Sequence, residues 1–213
     1  RQGAFLDSIA AVQQFVRTGG ATSFPFIFVD PTGWTGFDLE KIGPLLRFQP
    51  GEVLINFMTE HIRRFVTPNE EREEIIDSFR RLFGTEVVFD QIAALTDPQE
   101  REDKLFMTYA QRVREVGEYQ FACPAVVLHP MRERAYFHLI YATRHRKGVE
   151  VFKQVEKDAF SVQERVRAEA LETEQLRKTG QGSLFSEDEK KEPSHRAVAL
   201  RERYLGEAIA QIE

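Results

Sequence analysis

FPFIFVDPTGWTGFD, Phe24–Asp38, is the stretch whose reading decides the fold. Phe24–Val29 is an apolar run without alternation, and it stops at Asp30-Pro31. A short continuous run of this kind suits a strand buried on both faces, as in a parallel sheet. In open α/β sheets, ligands bind at the carboxyl ends of strands, which is where Asp30 falls. The Asp30 carboxylate can accept a hydrogen bond from a substrate amino group. Pro31 fixes the backbone and lacks an N–H, so the preceding carbonyl is free to face a ligand. Trp34 offers a flat face for a base or cofactor ring. Gly33 and Gly36 allow close backbone approach. Asp-Pro-x-Gly is equally the signature of an ordinary β-turn, and the motif alone leaves both readings open.

A second buried strand is expected downstream, in EVLINFM, Glu52–Met58. Between the two strands Asp38 is placed to cap a helix with Ile42, Leu45 and Leu46 inward. Upstream, LDSIAAVQQFVRTGG reads as a helix capped by Asp7, with Ile9, Val12 and Val16 on one face and Gly19-Gly20 as the stop. EHIRRFV follows the second strand as a short helix. Thr67-Pro68 and Asp97-Pro98 both pair a cap with proline at the first helical position. Glu70, Glu71, Glu73 and Glu74 suit the start of the first of these helices. Its buried stripe is Ile75, Ile76, Phe79 and Phe83. The second carries Leu105, Phe106, Tyr109 and Val113 and closes at Gly117. QFACPAVVLHP and AYFHLIYATRH are two strands joined by the polar turn MRER. Strands separated by helices imply right-handed crossovers and a parallel sheet, here finished by an antiparallel hairpin. The expected architecture is therefore the second half of a doubly wound α/β sheet, with Phe24–Val29 and Val53–Met58 as parallel neighbours. If they are neighbours, Asn56 ends its strand near Asp30, to orient substrate or to satisfy the strand terminus.

The rest of the chain is helical or polar. GVEVFKQVEKDAFSVQERVRAEALETEQL reads as a largely solvated helix. Residues 178–195 read as a mobile linker, with Leu184-Phe185 as an isolated anchor. The tail is an amphipathic helix with Ala197, Leu200, Tyr204, Leu205 and Ala208 on one face. It is expected either to fold back on residues 148–170 or to begin a further module. The expected domains are thus 1–177, a linker over 178–195, and a tail over 196–213.

Composition excludes several classes. Of 213 residues 42% are apolar and 30% charged, the balance of a globular protein, and 18 Phe predict an aromatic core. No apolar run approaches the roughly 20 residues that span a bilayer, so no membrane partner is expected. The lone Cys123 forms no internal disulfide, and a reducing, cytoplasmic compartment is expected. A net charge of −5 argues against broad adhesion to nucleic acid. His61, His129, His138, His145 and His195 show no metal-ligand spacing, so no metal site is expected. TRHRKG, Thr143–Gly148, offers basic groups for a phosphate or, as charge runs usually do, a solvated loop.

Three ordered segments, FIFVDPTGWTGF, EVLINFMTEHIRRF and AYFHLIYATRHRKGVEVFK, together resemble the three-Cys-motif partner family, over roughly residues 1–160. GSLF, Gly182–Phe185, resembles a segment near that family's linker. The resemblance implies an S-adenosylmethionine-dependent methyltransferase-like, Rossmann-like fold whose seven-stranded sheet ends in an antiparallel strand. Phe24–Val29 is then its fourth strand, Val53–Met58 its fifth, and the hairpin its sixth and seventh. In amino-group methyltransferases an Asp-Pro-Pro-aromatic segment occupies the position of Asp30-Pro31-Thr32-Gly33-Trp34. By that likeness Asp30 and a backbone carbonyl hold the target amine, Trp34 stacks, and Thr32, Gly33 and Asn56 contact substrate. Here Thr32-Gly33 shifts the aromatic by one position. The implied substrate is an amine on a nucleic acid or small molecule. The implied partner is a three-Cys-motif protein, and the tail is then the first helix of a winged-helix-like module. The alternative is a non-catalytic partner or regulatory protein that retains the fold to bind protein. The family's glycine-rich cofactor loop and its acidic ribose-binding strand end find no match in residues 1–213. Cofactor-binding residues are therefore not assigned. The expectation is that about a hundred residues precede Arg1, or that the chain is a degenerate remnant.

Overall fold

A computed structural model describes residues 5–20, 22–31, 38–57, 73–85, 91–92, 94–132, 134–179 and 195–212. Among these, the chain runs α1 (Phe5–Thr18), β1 (Phe26–Val29), α2 (Leu39–Leu46), β2 (Glu52–Phe57), α3 (Glu73–Phe83) and α4 (Pro98–Gly117). It continues with β3 (Phe121–Leu128), β4 (Ala135–Thr143), α5 (Arg146–Thr179) and α6 (His195–Ala210). The protein is α/β, with one mixed four-stranded sheet in the order β1-β2-β4-β3. β1 and β2 are parallel neighbours, and β4 lies antiparallel between β2 and β3. The expected hairpin is present, and its second strand is inserted next to β2. EHIRRFV, Met58 and the Thr67-Pro68 start lie outside the described residues.

Local chemistry explains the elements. Asp97 caps α4, its carboxylate accepting the Gln99 N–H at 2.9 Å with Pro98 at the first position. The Leu105, Phe106, Tyr109 and Val113 stripe is buried as read. α4 closes at Gly117, as read. The left-handed residue is Glu118, at φ 56°. Gly117 is required because a Cβ there would stand 2.3 Å from the Tyr119 ring. Asp7 lies within the first turn of α1 rather than at its cap, where it still favours the helix dipole. Asp38 holds the N-cap position of α2, but its carboxylate pairs with Lys41 Nζ at 2.6 Å instead of a backbone N–H.

The two sheet faces are covered differently. Ile55, Phe57, Ile140 and Ala142 pack with α1, α2, α3 and α4 in one core, where Phe57, Phe83, Phe106 and Tyr109 form an aromatic cluster. On the opposite face α5 packs Val149 and Phe152 against Phe121, Cys123 and Tyr141. Among the described residues that face is open over β1. The expectation that Phe24–Val29 is buried on both faces is corrected: the strand spans only Phe26–Val29, Val29 is buried, and Phe24, Phe26 and Phe28 are each more than half exposed. Among the described residues β1 is at the edge of the sheet, and only alternate side chains meet the helices.

α5 continues to Thr179 and α6 begins at His195, so both ends of the expected linker are helical; its residues 180–194, with Leu184-Phe185, lie outside the described residues. α6 packs on the body of the protein. Tyr204 is buried beside Phe106 and His138, and its hydroxyl donates to Asp103 Oδ1 at 2.9 Å. Leu205, expected inward, is exposed, because Tyr204 and Ala208 define the buried stripe. Among the described residues no helix is long and apolar enough to cross a membrane.

Candidate functional site

The parallel register pairs Phe26 with Glu52 and ends with Val29 beside Ile55. One step further, Asp30 comes level with Asn56. The two side chains meet: Asn56 Nδ2 donates to Asp30 Oδ1 at 2.7 Å. Asn56 is buried and Asp30 is exposed, so the amide is an anchored donor and the carboxylate is its solvent-facing acceptor. Both sit at the carboxyl ends of adjacent parallel strands, on the face that Phe28 and Leu54 share. Pro31, partly exposed, follows directly. Thr32, Gly33 and Trp34, read from the sequence as substrate contacts and stacking ring, lie outside the described residues. The structure therefore brings together Asp30, Pro31 and Asn56 from the expected set. Beneath this end of β2, the buried Tyr109 ring lies 4.8 Å from that of Phe57. Its hydroxyl meets no hydrogen-bond partner among the described residues, and burial pushes its pKa up, keeping it neutral.

The basic run TRHRKG divides. Arg146 and Lys147 are exposed and pair with Glu150, as a solvated helix start. Arg144 turns its guanidinium onto backbone carbonyls. Its guanidinium donates to the carbonyls of Leu46 (3.2 Å), Phe48 (3.0 Å), Gly51 (3.1 Å), Glu118 (3.2 Å) and Gly117. It also lies 4.2 Å from the centroid of the Tyr119 ring. One planar, five-donor group thus gathers the carbonyls left over at the ends of α2 and α4 and at the start of β2. Burial pushes the Tyr119 hydroxyl up to about 12, with Arg144 opposing the rise. Thr143 donates to Glu52 Oε1 at 2.8 Å and accepts the His145 N–H at 3.1 Å. Gly148 sits over this pair, where a Cβ would stand 2.6 Å from Tyr141 Oη and 2.8 Å from Thr143 Oγ1. Thr143, Arg144 and Gly148 are therefore a structural knot within the basic run.

Cys123 and His138 are both buried in the sheet. Cys123 is fully buried, and burial pushes its thiol up to about 11. The His138 ring lies 4.2 Å from Phe106 in the core. A feature with no advance signal is a groove of about 630 Å³ between α1 and β1, lined by Val12, Phe15, Val16, Phe24, Phe26 and Phe28 among others. Comparison with protein-family models, with curated proteins and with solved structures gives no match to this chain in any of the three.

Proposed function

We propose that this chain is part of a methyltransferase-like protein of the three-Cys-motif partner type, acting on an amino group of a nucleic acid or small molecule. The observation that carries the reading is the 2.7 Å Asn56–Asp30 hydrogen bond at the carboxyl ends of β1 and β2. Asn56 holds one carboxylate oxygen of Asp30 and restrains the group. The second oxygen is then oriented to accept an N–H from an incoming amine. That hydrogen bond leaves the nitrogen lone pair available for attack. The sheet order, with an antiparallel strand inserted beside β2, fits the Rossmann-like fold that the resemblance implies.

S-adenosylmethionine belongs to the proposal through the resemblance alone. The groove beside β1 is apolar and presents no carboxylate to a ribose, so the described residues do not fit the cofactor. Calorimetry with S-adenosylmethionine, on the polypeptide as made from its own start codon, tests the enzymatic reading together with methyl transfer to nucleosides bearing an exocyclic amine. Heat of binding and a product lost in Asp30→Asn are expected. Absence of both sinks the enzymatic reading.

One observation favours the second reading, a non-catalytic partner or regulatory protein that binds protein through the retained fold. The three phenyl rings of Phe24, Phe26 and Phe28 face water beside an apolar groove. A three-Cys-motif protein is the partner the resemblance implies. Co-purification of such a protein with a chain that takes up no S-adenosylmethionine supports that reading.

A further inference from the structure

α5 has two unlike faces. The inner one carries Val149, Phe152 and Phe160 onto the sheet, and Arg167 onto the His129 carbonyl of the hairpin. The outer one carries Val151, Val155, Val162 and Val166, which are 52%, 59%, 50% and 49% exposed. At about 100° per residue these four fall within a sector of about 60°, so they form one stripe about four turns long. Valine is a poor helix former because its χ1 is restricted, so helix stability does not account for four of them facing water. Single apolar residues on a surface are ordinary, whereas an apolar stripe marks a contact.

The stripe is complementary to its own reverse. Its valines are spaced by four, seven and four residues, an order that reads alike in both directions. Its ends carry opposite charge. Arg146 and Lys147 stand exposed at the start of the helix, and Glu169 stands exposed past the last valine, with Glu172 one turn further. Turned end for end about a point between Asp158 and Ala159, the stripe sets Val151 level with Val166 and Val155 level with Val162. The same turn brings Glu169 level with Gly148, next to Lys147. A parallel pairing would set Lys147 level with Lys147 and Glu169 level with Glu169. A surface shaped for an unrelated partner has no reason to match its own reverse in both spacing and charge.

We propose that a second copy of this chain covers the stripe, α5 packing antiparallel on α5 about a two-fold axis between Asp158 and Ala159. Each copy then lays Val151 and Val155 on Val166 and Val162 of the other. Glu169 lies over the bare backbone of Gly148 of the other copy, beside Lys147 and at the positive end of that helix. Asp158 comes near its own copy beside the axis, a like-charge contact that Gln154 tempers by donating to Asp158 Oδ1 at 3.1 Å. The overlap runs over residues 147–170 of both helices, about 36 Å. The interface is isologous, as most homodimer interfaces are. It rests on neither β1 nor the chemistry of Asp30 and Asn56.

Sedimentation velocity of the 213-residue protein, from micromolar to several hundred micromolar, tests this. A dimer is expected. Val155→Lys with Val162→Lys sets lysine against lysine across the axis and weakens the dimer by at least about tenfold. Glu169→Lys sets lysine beside Lys147 at both ends and weakens it about threefold. Lys147→Glu with Glu169→Lys exchanges the two charges and restores it. The substituted side chains are all exposed, so circular dichroism and Tm of the variants match the parent. A wild-type monomer at every concentration overturns the proposal. So does a dimer indifferent to the two lysines on the stripe, or one that the charge exchange fails to restore.

Discussion

The Asn56 amide donates to Asp30 Oδ1 at 2.7 Å across 26 residues of sequence, because one parallel register step beyond Val29 and Ile55 makes the two residues neighbours. A buried donor thus meets an exposed carboxylate at the mouth of the sheet. Replacing the amide by an apolar group of similar size, Asn56→Leu, removes the donor while water can still solvate Asp30. The expected loss is about 1 kcal/mol in urea denaturation, with a larger proportional loss in binding of any amine ligand. Equal affinity in the variant and the parent would contradict the role given to this pair.

Arg144 predicts a sharper stability effect. Lysine keeps the charge but has no planar fork to reach five carbonyls in different directions. Arg144→Lys is expected to cost about 2 kcal/mol or more, since several carbonyls at helix ends lose their donor together. Equilibrium urea denaturation measures it, and a variant within experimental scatter of the parent refutes the clamp.

Gly148 is held by space rather than by backbone conformation. A Cβ there would crowd Tyr141 Oη, Thr143 Oγ1 and Glu52 Oε1, the last at 2.9 Å. Gly148→Ala should destabilise by about 1–3 kcal/mol through overpacking, despite alanine's better helix propensity. A rise in Tm would show that the knot can open without cost.

Cys123 and Tyr119 are among the buried groups that set an alkaline limit, with Tyr109, Tyr141 and Tyr204 also raised by burial. Burial raises the Cys123 thiol from 9.0 to about 11, and the Tyr119 hydroxyl from 10.0 to about 12. Both are acids whose folded pKa lies above the unfolded one. Their contribution is fully present below pH 9, where both states keep the protons. It is lost between about pH 9 and 12, as the unfolded chain releases protons that the fold still holds. Tm should be insensitive to these groups at neutral pH and fall above pH 9. Cys123→Ala should remove the earlier part of that fall. Native Cys123 should also resist alkylation at neutral pH until the protein unfolds.

Tyr204 tests how the tail is held. Its hydroxyl donates to Asp103, which Arg203 also engages, and its ring packs on Phe106. Tyr204→Phe keeps the ring and removes the donor, so a loss of about 1–2 kcal/mol is expected. Limited proteolysis should then cut ahead of α6 faster than in the parent. An unchanged cleavage rate would mean that ring packing alone holds the helix.

Local signals carried much of this fold in the sequence. Asp97-Pro98 starts α4 because a cap and a proline act within a few residues of the helix they begin. The apolar runs name β1 and β2, and the MRER turn names the hairpin, because strand propensity and turn chemistry are also local. Even the meeting of Asp30 and Asn56 was legible once the two strands were taken as parallel neighbours. Tertiary structure decided the rest. An apolar strand does not say whether both its faces find partners, and Phe26 and Phe28 are exposed because, among the described residues, helices cover only one side of β1. Arg144 looked like one charge in a basic run. Its partners at Leu46, Phe48 and Gly51 lie 93 to 98 residues away, and only folding brings those carbonyls to one point. Gln211 gave no sign that it would complete the edge of β3, 89 residues distant. Such residues are chosen by leftover backbone donors and acceptors, and those exist only after the elements have packed.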